Sequence, residues 1–273
     1  MCVEKSFLKW VGGKGRLIPQ LLPHLPDGQR LIEPFVGAGN VFINTNYNSY
    51  ILADKNRDLI NVYRWLRDDL VRLVNTAQSL FDSDVDFYEV RYRFNCNITQ
   101  PFALERAAEF IYLNRHCFNG VCRYNQKGEF NVPHGKYKKV RFPKAELIEF
   151  SSKLNSVPVT LMAADFRAAI EMAEAGDVIY CDPPYISGTK NDIFTGYTPH
   201  KFNYPVTKLL RDLLVHAVRR GATAIVSNSN NTIVKGIFSD FEIYEIDAPR
   251  SVAANGNRKS AKEIIGALTP DMI

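Results

Sequence analysis

Nothing among the 273 residues approaches the roughly 18 consecutive apolar residues that crossing a bilayer demands. The first twenty carry lysines, glycines and a tryptophan in place of a secretory signal, so the chain is expected in the cytoplasm. Cysteine is scarce and odd in number, at positions 2, 96, 117, 122 and 181, with no Cys-x-x-Cys pair. That excludes a disulfide scaffold and fits reduced cytosolic thiols. His116, Cys117, Cys122 and His134 lie near one another, but their spacings miss the common zinc patterns, and no metal is expected. Lys14 sits among glycines without the Gly-x-x-x-x-Gly-Lys-Ser/Thr string of a phosphate loop. There is no internal repeat and no low-complexity segment.

What is present is an ordinary globular composition, 46% hydrophobic and 23% charged, with room for one large domain or one domain plus an insertion. The net charge of +5 is modest, but it is unevenly spread. Residues 115–144 hold eight Lys or Arg (115, 123, 127, 136, 138, 139, 141 and 144) and a single acid, Glu129. Such a stripe is an electrostatic footprint for phosphates, with a solvated basic loop as the competing reading. Aromatic and amide residues interleave with the charges: Phe118, Asn119, Tyr124, Asn125, Asn131 and Tyr137. The interleaving favours nucleic acid.

The string Asp182-Pro183-Pro184-Tyr185 follows the apolar run 177–181, so a buried strand is expected to deliver a carboxylate, two prolines and an aromatic to its own end. Prolines restrict the backbone and lack N–H donors. Carbonyl oxygens and the Asp182 carboxylate are then pure acceptors around a planar guest bearing an amino group, and Tyr185 is placed to stack on it.

Upstream, Leu31-Ile32-Glu33-Pro34-Phe35-Val36-Gly37-Ala38-Gly39 reads as a short strand running into a turn that allows close backbone approach to a ligand. A second strand, Tyr50 to Ala53, ends on Asp54. Nucleotide-binding α/β folds grip ribose hydroxyls with an acid in that place. The third glycine of a dinucleotide turn is missing, which favours a nucleoside cofactor without a pyrophosphate.

Residues 56–81 have helical spacing, with Leu59, Val62, Tyr63, Leu66, Leu70, Leu73 and Val74 on one side. Further helices are expected near 86–95 and 102–115, and Pro143 opens another over Ala145 to Leu154. Strands follow at Val157 to Met162, Asp177 to Asp182, Ala222 to Asn228, Phe241 to Ile246 and Glu263 to Leu268, with helical patterns near 166–175 and 205–220. Strand–helix alternation at both ends, interrupted by a basic helical middle, reads as an α/β domain (1–55 and 145–273) with an inserted recognition domain (56–144).

With these pieces assembled, the chain resembles the Dam family of DNA adenine-N6 methyltransferases over most of its length. Phe7-Leu8-Lys9-Trp10-Val11-Gly12-Gly13-Lys14 is similar to the family's amino-terminal cofactor motif, and Glu33 to Gly39 to its Phe-x-Gly-x-Gly motif. Leu113 to Lys139 is similar to its recognition hairpin, and Asp182 to Tyr185 completes the set in family order. The resemblance implies an α/β fold, a Rossmann-like seven-stranded mixed sheet binding S-adenosylmethionine at the carboxyl ends of its strands, with an inserted, mostly helical domain carrying a β-hairpin. Asp54 would accept from the ribose hydroxyls, Trp10 and Phe35 would contact the cofactor beside Gly37 and Gly39, and Lys14 would meet its carboxylate. Asp165 and Phe166 would meet its adenine, and Asp182 would also contact the cofactor. Structural burial competes for Trp10, and core packing for Phe166.

Double-stranded DNA is the implied partner, with no obligatory protein partner. The resemblance implies transfer to adenine N6 in GATC, with the base rotated out of the duplex. Asp182, Pro183, Pro184 and Tyr185 would form the catalytic set. Phe118 would fill the gap, Arg123 would read guanine through O6 and N7, and Val121 and Pro133 would make apolar contacts. Val121 stands where a larger aliphatic is commoner, which weakens one base contact. Lys9, Asn119, Asn125, Asn131, Lys136 and Tyr137 complete the implied DNA set. Related motifs also serve cytosine N4 methylation, and an inactive methylase-like DNA-binding protein is a further alternative, although Asp182 and the glycine turn are both intact. A small-molecule Rossmann dehydrogenase is disfavoured by the basic insertion and by Asp-Pro-Pro-Tyr.

Overall fold

Strand β4, Val178–Cys181, is buried at all four positions, and the unbroken apolar run is that of a strand covered on both faces. It lies at the centre of a seven-stranded mixed sheet. In the computed structural model, which describes residues 3–97, 99–186, 202–248 and 261–273, the strands are β1 (Arg30–Glu33), β2 (Ser49–Asp54), β3 (Val159–Ala163), β4, β5 (Thr223–Ser229), β6 (Glu242–Ala248) and β7 (Ala261–Leu268). Their order is β3-β2-β1-β4-β5-β7-β6. β1 runs parallel to β2 and β4, and β4 parallel to β5, whereas β7 is antiparallel to both β5 and β6. The outer strand β6 exposes Glu242, Glu245 and Asp247, charges that discourage pairing of a sheet edge with another chain.

The chain divides into two compact units. One comprises Met1–Gly15, Val36–Asn44 and Asp54–Ala164; the other comprises Arg16–Phe35, Thr45–Ala53 and Asp165–Ile273. In the first, the helix Leu104–His116 is buried over most of its circumference, as a central helix must be. Its Arg106 forms a two-point pair with Asp58 at 2.6 and 3.1 Å, and a third N–H donates to the Phe94 carbonyl. In the second unit, the helix Tyr204–Arg219 begins on Asn203, whose side chain accepts from Val206 N, and buries Leu210, Leu214 and Val218.

Three local features differ from the sequence reading. The helical pattern over 56–81 is two helices, Arg57–Asp68 and Leu70–Asp82. Asp69 leaves helical geometry (φ −156°) and its carboxylate accepts from Arg72 N, so it serves better as a cap than as an interior residue. The pattern near 166–175 is helical only over Phe166–Glu171, before Gly176 turns the chain with φ +84°. The hairpin after residue 116 is held by two isolated antiparallel bridges, Cys117 with His134 and Tyr124 with Phe130. Left-handed backbone at Asn119, Gly120 and Lys136 and the missing N–H of Pro133 interrupt a regular ladder. Among the described residues, no helix is long and apolar enough to cross a membrane.

Candidate functional site

In the first unit, the glycine turn is shaped from both sides by aromatic rings. Gly37 (φ +48°) and Gly39 (φ +69°) have left-handed backbones. A Cβ on Gly37 would lie 2.9 Å from Trp10 Nε1, and one on Gly39 would lie 2.7 Å from the Phe150 ring. The Tyr63 hydroxyl donates to the Gly37 carbonyl at 2.5 Å, and Tyr63 stacks on Phe150 with centroids 4.8 Å apart. Phe7 and Phe42 meet Phe150 edge-on. Half-buried Trp10 therefore supports the turn, while Lys14, which is buried, donates to the Gly12 carbonyl at 3.2 Å.

Asp54 closes the back of this turn. One carboxylate oxygen accepts from Gly37 N at 3.1 Å and the other from Asn56 N at 2.8 Å. Burial pushes the Asp54 carboxyl above the usual carboxylate range, and hydrogen bonds from the backbone of Asn56, Gly37 and Lys55 oppose it. A carboxylate has about four acceptor positions, so three N–H partners leave room for a ligand hydroxyl.

The second unit holds Asp182-Pro183-Pro184-Tyr185, directly after β4. Pro183 is buried, Pro184 is exposed, and Asp182 and Tyr185 are half-buried. The Tyr185 hydroxyl donates to Glu263 Oε2 at 2.8 Å. Burial, with the negative Asp182 and Glu263 nearby, raises the phenol far above its ordinary pKa and keeps it neutral. The Ile186 carbonyl accepts from Ser229 Oγ (2.9 Å) and Asn231 Nδ2 (3.2 Å). The far end of the motif is thus tied to β5 and the turn that follows it.

Phe35 stacks on Phe166 with centroids 5.4 Å apart, and Phe202 meets both rings. Phe166 is 6% exposed, so the competing core reading accounts for most of its surface. Asp165 caps the helix that Phe166 begins and pairs with Arg167 Nε at 2.7 Å. Phe202 was not singled out in the sequence, because it lies in no motif and its only local signal is the helix cap at Asn203.

The residues expected to meet DNA gather around the hairpin of the first unit. Lys9 Nζ donates to the Arg115 carbonyl at 3.0 Å and lies 3.9 Å from the centre of the Tyr137 ring. Burial, then the positive Arg115, lowers its pKa. The Tyr137 hydroxyl accepts from Asn119 N at 3.1 Å. Phe118 is 54% exposed. Pro133 and Lys136 are exposed and Val121 is half-buried. Arg123 Nε donates to Asn131 Oδ1 at 2.9 Å. Asn125 is engaged within the turn: its Oδ1 accepts from Lys127 N and Glu129 N, and its Nδ2 donates to Glu129.

Asn114 was also missed. Completely buried, it accepts from Lys9 N at 2.9 Å and donates to Lys9 O at 2.7 Å, and its amide lies 3.4 Å from the Gly120 carbonyl. In sequence it reads as one polar residue near the end of a helix. Cys117 and Cys122 are pushed up to about 11 and about 12 by burial, so both thiols stay protonated at neutral pH.

Residues 10–252 match the family described as D12 class N6 adenine-specific DNA methyltransferase. The DNA adenine methylase of Serratia marcescens is 42% identical, covering 92% of this chain and 93% of its own length. The DNA adenine methylase of Escherichia coli K12 is 37% identical, covering 99% of this chain and 97% of its own. A DNA N-6-adenine-methyltransferase of Escherichia phage P1 is 41% identical over 97% of this chain, which spans 35% of that longer protein.

Proposed function

Because the chain belongs to the D12 class of N6 adenine-specific DNA methyltransferases, we propose that it methylates adenine N6 in duplex GATC, using S-adenosylmethionine and a base rotated out of the helix. Residues 56–144 serve target recognition, and 1–55 with 145–273 serve cofactor binding and transfer. When bound, the cofactor supplies a methyl group on a positively charged sulfur. The left-handed glycine turn and the remaining acceptor capacity of Asp54 fit its ribose. Trp10, Lys14, Phe35, Asp165 and Phe166 complete its contacts.

Adenine's amino nitrogen is a weak nucleophile because its lone pair is delocalised into the ring. Asp182 and the Pro183 carbonyl would accept from its two N–H groups and favour a more tetrahedral nitrogen, freeing the lone pair to face the methyl donor. The methylated nitrogen is acidic and loses its extra proton afterwards. Holding the reactants in line contributes up to about 10 kcal/mol. Tyr185 stacks on the base and Phe118 fills its place, offsetting an unstacking cost of a few kcal/mol. Lys9, Asn119, Val121, Pro133, Lys136 and Tyr137 line the contact with the duplex, and Arg123 reads guanine.

The observation that carries this reading is the Asp182–Tyr185 motif, which follows a fully buried strand and is tied down through Tyr185 and Ile186. The test is transfer of labelled methyl to paired oligonucleotides with GATC or a scrambled site. Label on N6 of the GATC adenine alone supports it; label on cytosine, or equal label on both oligonucleotides, rejects the target. A rise in 2-aminopurine fluorescence at the target position on binding is expected from base rotation.

A further inference from the structure

We infer that Asn131 is a positioning residue that sets how Arg123 presents itself to a base, an inference that rests on the reading of Arg123 as the guanine contact. A guanidinium offers two edges able to donate a pair of parallel N–H bonds: a side edge formed by Nε and Nη2, and an end edge formed by Nη1 and Nη2. Asn131 occupies the side edge. Its side-chain Oδ1 accepts from Nε at 2.9 Å, and its main-chain carbonyl lies 3.4 Å from Nη2. The end edge is what remains to meet O6 and N7 of guanine.

The backbone that carries the pair is anchored on both strands of the hairpin. Asn131 N donates to Arg123 O at 3.1 Å, so the two residues face each other across the hairpin. One step inward, Tyr124 and Phe130 form an antiparallel bridge. The Tyr124 hydroxyl donates to Asp58 Oδ2 at 2.6 Å, and Asp58 is itself held by buried Arg106. Asn95 donates to Phe130 O and accepts from Phe130 N. Side chains alternate along extended backbone, so anchoring Tyr124 and Phe130 inward turns Arg123 and Asn131 outward. Arg123 is exposed. Without Asn131 a long, rotamer-rich side chain would have to find its reading geometry anew at each encounter.

The test measures kcat/KM on GATC and on oligonucleotides with one base pair of the site changed, for full-length wild type, Arg123→Ala, Asn131→Ala, Asn131→Asp and the double alanine variant. Melting temperatures confirm folding. Asn131→Ala is expected to reduce discrimination at the guanine read by Arg123 by about tenfold, within the range one bidentate contact provides. Asn131→Asp, which keeps the acceptor, should retain discrimination, and the double variant should discriminate no worse than Arg123→Ala alone. If Asn131→Ala weakens cognate and altered sites equally, with a shallower salt dependence, Asn131 is a phosphate contact and the inference is overturned. If Arg123→Ala itself leaves discrimination intact, the guanine reading fails, and this inference with it.

Discussion

The hydroxyl of Tyr185 donates to the carboxylate of Glu263 at 2.8 Å, joining residues 78 apart in sequence. Glu263 is brought there by the antiparallel pairing of β7 with β5, in which it stands opposite Ser229. The hydroxyl edge of the Tyr185 ring is therefore fixed, and the proposed role of the ring is to stack on the target base. Tyr185→Ala is expected to lower methyl transfer roughly tenfold to a hundredfold, since base–aromatic stacking is worth about 1–3 kcal/mol. Tyr185→Phe, which keeps the ring, should lose less than tenfold. Single-turnover rates on a GATC duplex separate the two, and equal losses would make the hydroxyl, not the ring, the working part.

Asp182→Ala should abolish detectable methyl transfer while S-adenosylmethionine binding falls only modestly. Removing a preorganised group at a reacting centre typically costs 10²–10³ in rate, roughly 3–4 kcal/mol. Labelled-methyl transfer and calorimetric titration check the two halves. Activity within tenfold of wild type would remove Asp182 from the chemistry.

Gly39→Ala is expected to destabilise the protein by about 1–3 kcal/mol, through a strained left-handed backbone and a Cβ driven into Phe150. Combining it with Phe150→Leu should not restore full stability, because the backbone strain persists. Urea denaturation of the single and double variants reads this directly.

Asp58→Ala strands a buried Arg106 and should cost about 3–5 kcal/mol. Tyr124→Phe removes one hydrogen bond to the same carboxylate and should cost about 1 kcal/mol. Equal losses in urea midpoints would show that the Asp58–Arg106 pair contributes nothing of its own.

Glu109 predicts a pH dependence. Burial raises its pKa from 4.5 to about 7, against the opposing charges of Arg93 and Arg106. A carboxyl whose folded pKa is raised favours folding while protonated. Its contribution is complete below the unfolded value and is lost as pH rises through about 7. Stability should therefore fall between about pH 4.5 and 7, by on the order of 3 kcal/mol at most. Glu109→Gln should flatten that fall in urea titrations at pH 5 and 8, and an unchanged slope would assign it to other groups.

The local strings around residues 31–39 and 182–185 were readable because each is an apolar run followed by a turn whose residue types leave few conformations. β1 and β4 lie where those runs predicted. The break at Asp69 was not readable, since apolar spacing continues across it and only the competition between cap and helix interior ends the first helix. Glu263, Asn114 and Phe202 escaped notice for another reason: each works through a partner distant in sequence, and no short pattern encodes that.

The sequence alone therefore determined the family, the strand-and-turn frames of the glycine and Asp-Pro-Pro-Tyr segments, and the basic stripe. The frames and the stripe follow from periodicity, proline and glycine sterics and charge, which act over a few residues, and the family from the resemblance of its motifs in their order. Tertiary structure decided which polar atoms meet: Asp54 with Gly37, Asn114 with Lys9, Arg106 with Asp58 and Tyr185 with Glu263. A buried polar group must find a partner, and only packing brings together partners that lie 17 to 105 residues apart.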